Sequence, residues 1–538
     1  MKRLPIGIQS FGKIIEGDYV YADKTQYIFD LINSASYYFL SRPRRFGKSL
    51  LLDTIGEVFK GNRELFKGLW IYDSDYGFEK HPVIRLDMSS ISNENPEILK
   101  TSFASELRKQ LRDEGLDLTD EVPSDMFKNL IEGLYKKYGQ KVVVLIDEYD
   151  KPIIDHIHDV PAAEANRLIV RGFYGVLKSM DPYLRFTFLT GVTKFAKTSV
   201  FSELNNLKDI TMTEKYANIC GIPVEDFDKL FSEHIESLKV LKAFKNYENL
   251  RGRILEWYDG YSWDGESRVI NPFSLLSFFG QERIGAYWYA SGSPKFLIDL
   301  IKENPGEYTN LKSLRINESM LDAADFNKLE ATPLLFQTGY LSVKEVIETG
   351  ATPMYELEIP NREVGEAFNT HIIAEFTESG HMGANNMRFD MDDALRDGDT
   401  SKMLETLRGL FASIPFNLHI DKEAYYHSIF YAIMNVLGFK IDAEAATSKG
   451  RIDAALETDD KVYVFEFKFV SCPPDASSDE KRKLFDKSLK EGMDQINSRG
   501  YHKKYSGSGK TIFKAAFAFL GRDDIEMASE VESPGGVV

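Results

Sequence analysis

The chain reads as an α/β protein with an N-terminal parallel sheet, a helical middle region, and a second α/β unit near the C-terminus. Three stretches predict this. Residues 38–52 (YFLSRPRRFGKSLLL) are a short apolar strand, a turn holding proline and glycine, then Gly47-Lys48-Ser49 opening an apolar helix. Residues 141–150 (KVVVLIDEYD) are an apolar run ending in acids, the pattern of a strand buried on both faces of a parallel sheet. Residues 461–469 (KVYVFEFKF) alternate along a strand and, with residues 451–456 before them, form a hairpin pattern around the turn Glu457-Thr458-Asp459-Asp460.

In chain order, Asp23 is placed to cap an apolar helix through Ile28, Leu31 and Ile32. A helix over 49–60 leaves the loop and ends near Gly61. Residues 82–88 form the next strand, 95–138 are helical, 141–146 are a strand, 161–180 a helix and 184–190 a further strand. This alternation is the signature of a parallel α/β sheet. DHIHD at 155–159 is read as the start of a helix rather than a metal site. Residues 213–330 read as mostly helical, and 331–404 as a small α+β segment with strand-like pieces LLFQTGYLSV and YELEIPN. Glycine and aspartate cluster over 377–400, which suggests a boundary. The expected domains are 1–212, 213–330, 331–404 and 405–525, with 526–538 as a tail.

Composition narrows the function classes. At 538 residues the chain is too long for one core and should hold roughly two to four domains. A net charge of −17 argues against a surface that binds nucleic acid indiscriminately, though it leaves room for a local basic groove. Cys220 and Cys472 make no disulfide framework and lack zinc-type spacing, which favours a reducing compartment. The start carries no apolar stretch long enough for a signal peptide, and no run approaches the ~20 apolar residues of a membrane span. A cytoplasmic protein without membrane attachment is expected.

The first candidate site is the loop. In a strand–loop–helix of this kind, successive backbone N–H groups and the helix N-terminus face an anion, Lys48 reaches the β- and γ-phosphates, and the Ser49 hydroxyl takes a place on Mg²⁺. The full pattern G-x-x-x-x-G-K-[ST] has Arg42 where its first glycine belongs, so the match is its second half, Phe46-Gly47-Lys48-Ser49. Arg44 and Arg45 either contact phosphates or are solvated. Asp147 ends the acidic strand where a water-mediated Mg²⁺ ligand belongs, and Glu148 stands where a water-polarising base belongs. Thr193, after the strand over 184–190, is placed by order to sense the γ-phosphate.

The second candidate site is the hairpin. Along 461–469, Val462, Val464, Glu466 and Lys468 share one face and the aromatic residues the other. Asp453 can reach the same place across the hairpin. Two carboxylates suit a hard divalent ion, and a neighbouring lysine can orient water or stabilise charge on phosphorus. A following helix carries Gln495, a preceding one (421–437) carries Glu423, and residues 512–520 give a last strand. Lys481, Arg482, Lys483, Lys487, Lys490, Arg499, Lys503 and Lys504 form a basic stretch able to meet phosphates or to lie solvated.

With these residues the chain resembles a bacterial family that joins an AAA-ATPase-like domain to a C-terminal PD-(D/E)XK nuclease-like domain. The resemblance covers most of the length and rests on YADKT (21–25), RPRRFGKS (42–49), DEYD (147–150), residues 201–211, NPFS (271–274), GRID (450–453) and EFK (466–468). It implies an AAA-like P-loop NTPase fold and a restriction-endonuclease-like α/β fold. It implies ATP and Mg²⁺ on Lys48 and Ser49, with Asp147 and Glu148 as the acidic motif. Asp453, Glu466 and Lys468 would be the nuclease core, with Gln495 as helix partner, Glu423 as a further metal ligand, Mg²⁺ or Mn²⁺ as the ion and DNA as the nucleic acid. No arginine finger can be assigned, which leaves a homo-oligomer open. The alternative is a nucleotide-driven switch or interaction protein whose nuclease-like domain binds nucleic acid without cutting it.

Overall fold

In the computed structural model the apolar runs become one parallel sheet: β1 (Tyr37–Ser41), β2 (Val83–Asp87), β3 (Val142–Asp147), β4 (Leu184–Gly191) and β5 (Lys208–Asp209), in the order β2-β3-β4-β1-β5. β1 and β3 are buried at every position, as strands covered on both faces must be. β4 therefore lies between the strand that feeds the loop and the strand that ends in acids. The structure describes residues 1–117, 120–194, 206–288, 314–321, 331–350, 352–376, 380–412, 430, 440–447, 450–470, 476–505, 507–520 and 524–533. Two compact units divide the chain, Met1–Gly292 with Ser313–Asn361, and Arg362–Val538 with Ser293–Lys312. Among the described residues no helix is long and apolar enough to cross a membrane.

In the first unit, α1 (Phe11–Glu16) and α2 (Thr25–Ser34) precede β1, and α3 (Lys48–Phe59) follows it. The expected helix over 95–138 is two helices, α4 (Pro96–Asp113) and α5 (Pro123–Tyr138); Gly115, at φ 63°, takes the left-handed turn that stops α4. α6 (Val160–Ser179) starts at Asp159, whose side chain accepts from Ala162 N–H. Beyond β5, α7 (Val224–Lys239), α8 (Leu250–Tyr258) and α9 (Pro272–Gln281) share an apolar core built on Phe227, Phe231, Ile254, Tyr258 and Phe278. A two-stranded antiparallel pair, β6 (Ile222–Pro223) with β7 (Val269–Ile270), ties them together. The LLFQT piece expected as strand is the end of a helix, α10 (Ala331–Thr338). Gly339, at φ 93°, closes it before the chain turns into strand. β8 (Leu314–Asn317), β9 (Ser342–Ile347) and β10 (Met354–Glu358) form a small antiparallel sheet in the order β8-β10-β9.

In the second unit, α11 (Arg362–Phe376), α12 (Gly380–Asp397) and α13 (Thr400–Ala412) lead to a mixed sheet, β11 (Lys440–Thr447) through β12 (Gly450–Glu457), β13 (Lys461–Val470), β14 (Thr511–Leu520) and β15 (Asp524–Glu532), paired in that order. Only β13 and β14 run parallel, because the long α14 (Ser478–Arg499) crosses between them. Strand alternation sorts the core. Tyr463, Phe465 and Phe467 pack with Leu395, Leu407 and Phe411 on one face, while Val462 and Val464 pack with Met493 and Ile496 of α14 on the other. The stretch expected as a tail after residue 525 continues as β15, held by Ile525 and Met527 on the aromatic core.

Candidate functional sites

The loop borders a cavity of about 370 Å³ within the first unit. Its walls are Arg44 to Leu51, the turn Ile6-Gly7-Ile8, Lys24, Glu148, residues 219–222 and Phe273. Gly47 sits at φ 91°, the left-handed conformation that lets the loop turn into α3 and that a side chain disfavours. Lys48 is buried, and its Nζ donates to the carbonyls of Arg42 and Pro43 at 2.9 Å each. Burial pulls its pKa down, opposed by Asp147, Glu148 and Asp150. Ser49 lines the cavity, and its carbonyl accepts from Arg85.

The arginines of the loop have separate duties. Arg42 is fully buried; it donates to the carbonyls of Ser41, Thr211 and Tyr216, and its guanidinium lies 3.9 Å over the Trp263 ring. It is a strut beneath the loop, and burial holds its pKa down to about 10. Arg45, at φ 68°, lays its guanidinium 3.7 Å over Phe273, while the Arg44 carbonyl accepts from the Trp288 indole. Phe46 packs edge-on against Tyr261 and Trp263, and its carbonyl accepts from Gly221 N–H. Of the segment 201–211, residues 201–205 lie outside the described residues. Thr211 supports the loop by accepting from Ser41 N–H at 3.0 Å.

At the acidic strand end, Asp147 is buried, and its Oδ1 accepts from Thr190 Oγ1 at 2.6 Å and from Glu148 N–H at 3.1 Å, which among the described residues leaves Oδ2 uncommitted. Glu148 reaches the cavity from a left-handed backbone at φ 51°, and burial pushes its carboxyl up. Strained non-glycine backbone at both Arg45 and Glu148 is of the kind that collects at functional sites. Thr193 does not line the cavity. Asp150 Oδ2 takes both its N–H and its hydroxyl, at 2.6 and 2.7 Å. The β4 residue that meets the acidic motif is Thr190, three positions earlier. Nothing in the local pattern singles it out; only strand register does.

In the second unit the pairing of Ala454 with Phe465 puts Asp453 level with Glu466 one step along the ladder. Asp453 Oδ2 accepts from Phe467 N–H at 2.8 Å. Lys468 Nζ donates to Glu466 Oε1 at 2.8 Å and to Gln495 Oε1 at 3.0 Å. The helix comes this close because Gly492 has no side chain: a Cβ there would stand 2.8 Å from that of Ala516, the neighbour of Glu466 on β14. Glu466 is 1% exposed, and among the described residues its Oε2 has no hydrogen-bond partner. Burial, helped by Asp453 and opposed by Lys468, pushes its carboxyl up to about 7. A buried, unsatisfied carboxylate oxygen beside a second carboxylate fits a hard divalent cation. Among the described residues no three His, Cys, Asp or Glu side chains converge, so these carboxylates stand as a pair. Glu423 and the helix expected over 421–437 lie outside the described residues except for Phe430, whose ring packs on Phe465 and Phe467.

Comparison with known proteins divides the chain in the same way. Residues 5–201 match the family described as Predicted AAA-ATPase, and residues 421–528 match the PD-(D/E)XK nuclease superfamily. A protein of Azotobacter chroococcum mcd 1, called an uncharacterized protein in the vnfD 5′ region, is 36% identical over 542 residues, spanning 99% of each chain. A crystal structure of a DNA replication initiation factor aligns with 69% of this chain and 80% of its own at 10% identity, with a TM-score of 0.21 that carries no argument. By its full-length relative and by both domain matches, the chain belongs to the family that joins a predicted AAA-ATPase domain to a C-terminal PD-(D/E)XK nuclease-superfamily domain.

Proposed function

We propose that the chain is an ATP-binding hydrolase coupled to a divalent-metal-dependent nuclease acting on DNA phosphodiester bonds. The observation that carries the nuclease half is the set Asp453, Glu466, Lys468 and Gln495, with Glu466 Oε2 buried and unpaired. Asp453 and Glu466 would hold Mg²⁺ or Mn²⁺, which when bound neutralises charge developing on the scissile phosphate. Gln495 orients Lys468, and Lys468 positions water or stabilises charge at that phosphate. In the first unit Lys48 would exchange its carbonyls for the nucleotide's phosphates. Ser49 and the uncommitted oxygen of Asp147 suit Mg²⁺, and Glu148, with its raised pKa, suits a base.

The test is cleavage of linear and circular DNA with Mg²⁺ or Mn²⁺, with and without ATP, beside Lys468→Ala. ATP-dependent cutting that disappears in the variant is the expected result. Cutting that survives Lys468→Ala removes the nuclease assignment. The net charge of −17 favours a second reading, a nucleotide-driven switch that binds nucleic acid without cutting. Absence of cutting under every condition, with nucleotide binding intact, would select it.

A further inference from the structure

Two lysines, not one, face the cavity of the first unit. Lys48 comes from the loop, and Lys24 comes from the start of α2. They are 5% and 8% exposed, and among the described residues neither forms an ion pair. Lys48 rests on two carbonyls, and Lys24 rests on one, donating to Asn218 O at 2.7 Å. The acid beside Lys24 in sequence is committed elsewhere: Asp23 Oδ1 accepts from the N–H and hydroxyl of Thr25, and Oδ2 accepts from Trp70 N–H. Those bonds fix the turn that aims Lys24 inward. Asp226, Asp23 and Glu225 act on Lys24 electrostatically without pairing with it, and Cys220 lines the same cavity.

A buried ammonium without a counter-ion is costly, and burial has pulled Lys24 down to about 8. Lys48 is likewise buried and lowered, with its Nζ resting on carbonyls rather than bonded to the nearby acids. We infer that Lys24 is a second binding cation for the polyphosphate of the nucleotide, acting together with Lys48. This rests on the nucleotide reading of the cavity and extends it, because it gives the YADKT segment a ligand contact beyond capping α2. One consequence separates it from a structural role. Once a phosphate pairs with Lys24, its ammonium is stabilised, so binding above pH 8 takes up a proton and weakens as pH rises. Lys48, also lowered by burial, contributes its own share. The readout is therefore the difference between the wild type and Lys24→Met.

The experiment is calorimetric titration of the full chain with ATP, ADP and adenosine at pH 7 and pH 8.5, in buffers of different ionisation enthalpy. Loss of one charge-assisted contact should weaken ATP binding by roughly ten- to a hundredfold in Lys24→Met. Adenosine binding should be unchanged, proton uptake at pH 8.5 should fall, and Lys24→Arg should retain most of the ATP affinity. Unchanged ATP affinity in Lys24→Met overturns the inference alone. So does an equal loss for adenosine, which would mark a structural role. Wild-type protein binding ATP without any proton uptake at pH 8.5 also overturns it, with no variant needed. Wild-type protein that binds no nucleotide overturns the nucleotide reading, and this inference with it.

Discussion

The two sites are opposite in charge and in construction. The cavity of the first unit gathers two buried ammonium groups that rest on neutral carbonyls, with Glu148 the acid on its wall. The hairpin of the second unit gathers carboxylates, one with an oxygen left unsatisfied, and it is short of a cation. The first is assembled from loops, with left-handed backbone at Arg45, Gly47 and Glu148. The second is assembled from the pleats of two paired strands and the face of one helix. Loops with strained backbone can change shape around a ligand, whereas a sheet pleat holds its groups fixed. The difference suits a first unit that responds to nucleotide and a second that keeps a rigid reaction geometry.

The largest expected effects break the comparison one side at a time. Lys468→Ala removes the ammonium that, on the proposed reading, acts at the scissile phosphate, and cleavage should fall by about a hundred- to ten-thousandfold in a DNA nicking assay. ATP affinity should not move, because Lys468 belongs to the other unit. Lys48→Ala does the reverse at its own site, and nucleotide affinity by calorimetry should fall by roughly a hundredfold. An unaltered affinity in Lys48→Ala would sink the phosphate-loop reading. If cleavage also falls in Lys48→Ala while metal binding persists, nucleotide controls the nuclease; if cleavage is untouched, the units act independently.

How much of this could be read from the sequence follows the same division. Period-2 alternation put Glu466 and Lys468 on one face before any fold was known, and hairpin register brought Asp453 level with them. The loop was legible as Gly47-Lys48-Ser49, but its neighbours were not. Arg42 looks like a missing glycine in sequence. In the fold it is a buried strut stacked on Trp263, a role set by residues distant along the chain. Lys24 reads as a residue beside a helix cap, since nothing local says that α2 opens onto the loop. The break between α4 and α5 was hidden because the apolar spacing continues on both sides of Gly115.

A smaller effect sharpens the cation-seeking half. Glu466 is raised by burial to about 7 in the folded chain, against an ordinary carboxylate value near ~4.3 when unfolded. The folded chain therefore holds an extra proton between those values. The stability this proton confers is present at acid pH and is lost as pH rises through about 7. A divalent ion competes with that proton, so Mg²⁺ should raise the melting temperature more at pH 8 than at pH 5.5. Glu466→Gln should be less pH-sensitive than the wild type and should lose the Mg²⁺ shift. A Mg²⁺ shift that is the same at both pH values would show that Glu466 is not where the ion binds.

The smallest expected effect separates two threonines on the anion-seeking side. Thr190 and Thr193 are both buried near the end of β4, so hydrophobic patterning does not distinguish them. Thr190 donates to Asp147, the acid that ends β3, and Thr193 donates to Asp150, one turn farther from the strand. Replacing Thr190 with valine keeps the volume and frees Asp147 Oδ1 to drift, which should lower ATP turnover about tenfold with little change in ATP affinity. Replacing Thr193 with valine strips a bond from a buried carboxylate whose pKa is already pushed up by burial. That should lower stability by about 1–3 kcal/mol in urea unfolding while turnover stays near wild type. The reverse outcome, turnover lost in Thr193→Val and kept in Thr190→Val, would mean that chain order locates the sensing residue better than the hydrogen bond to Asp147 does.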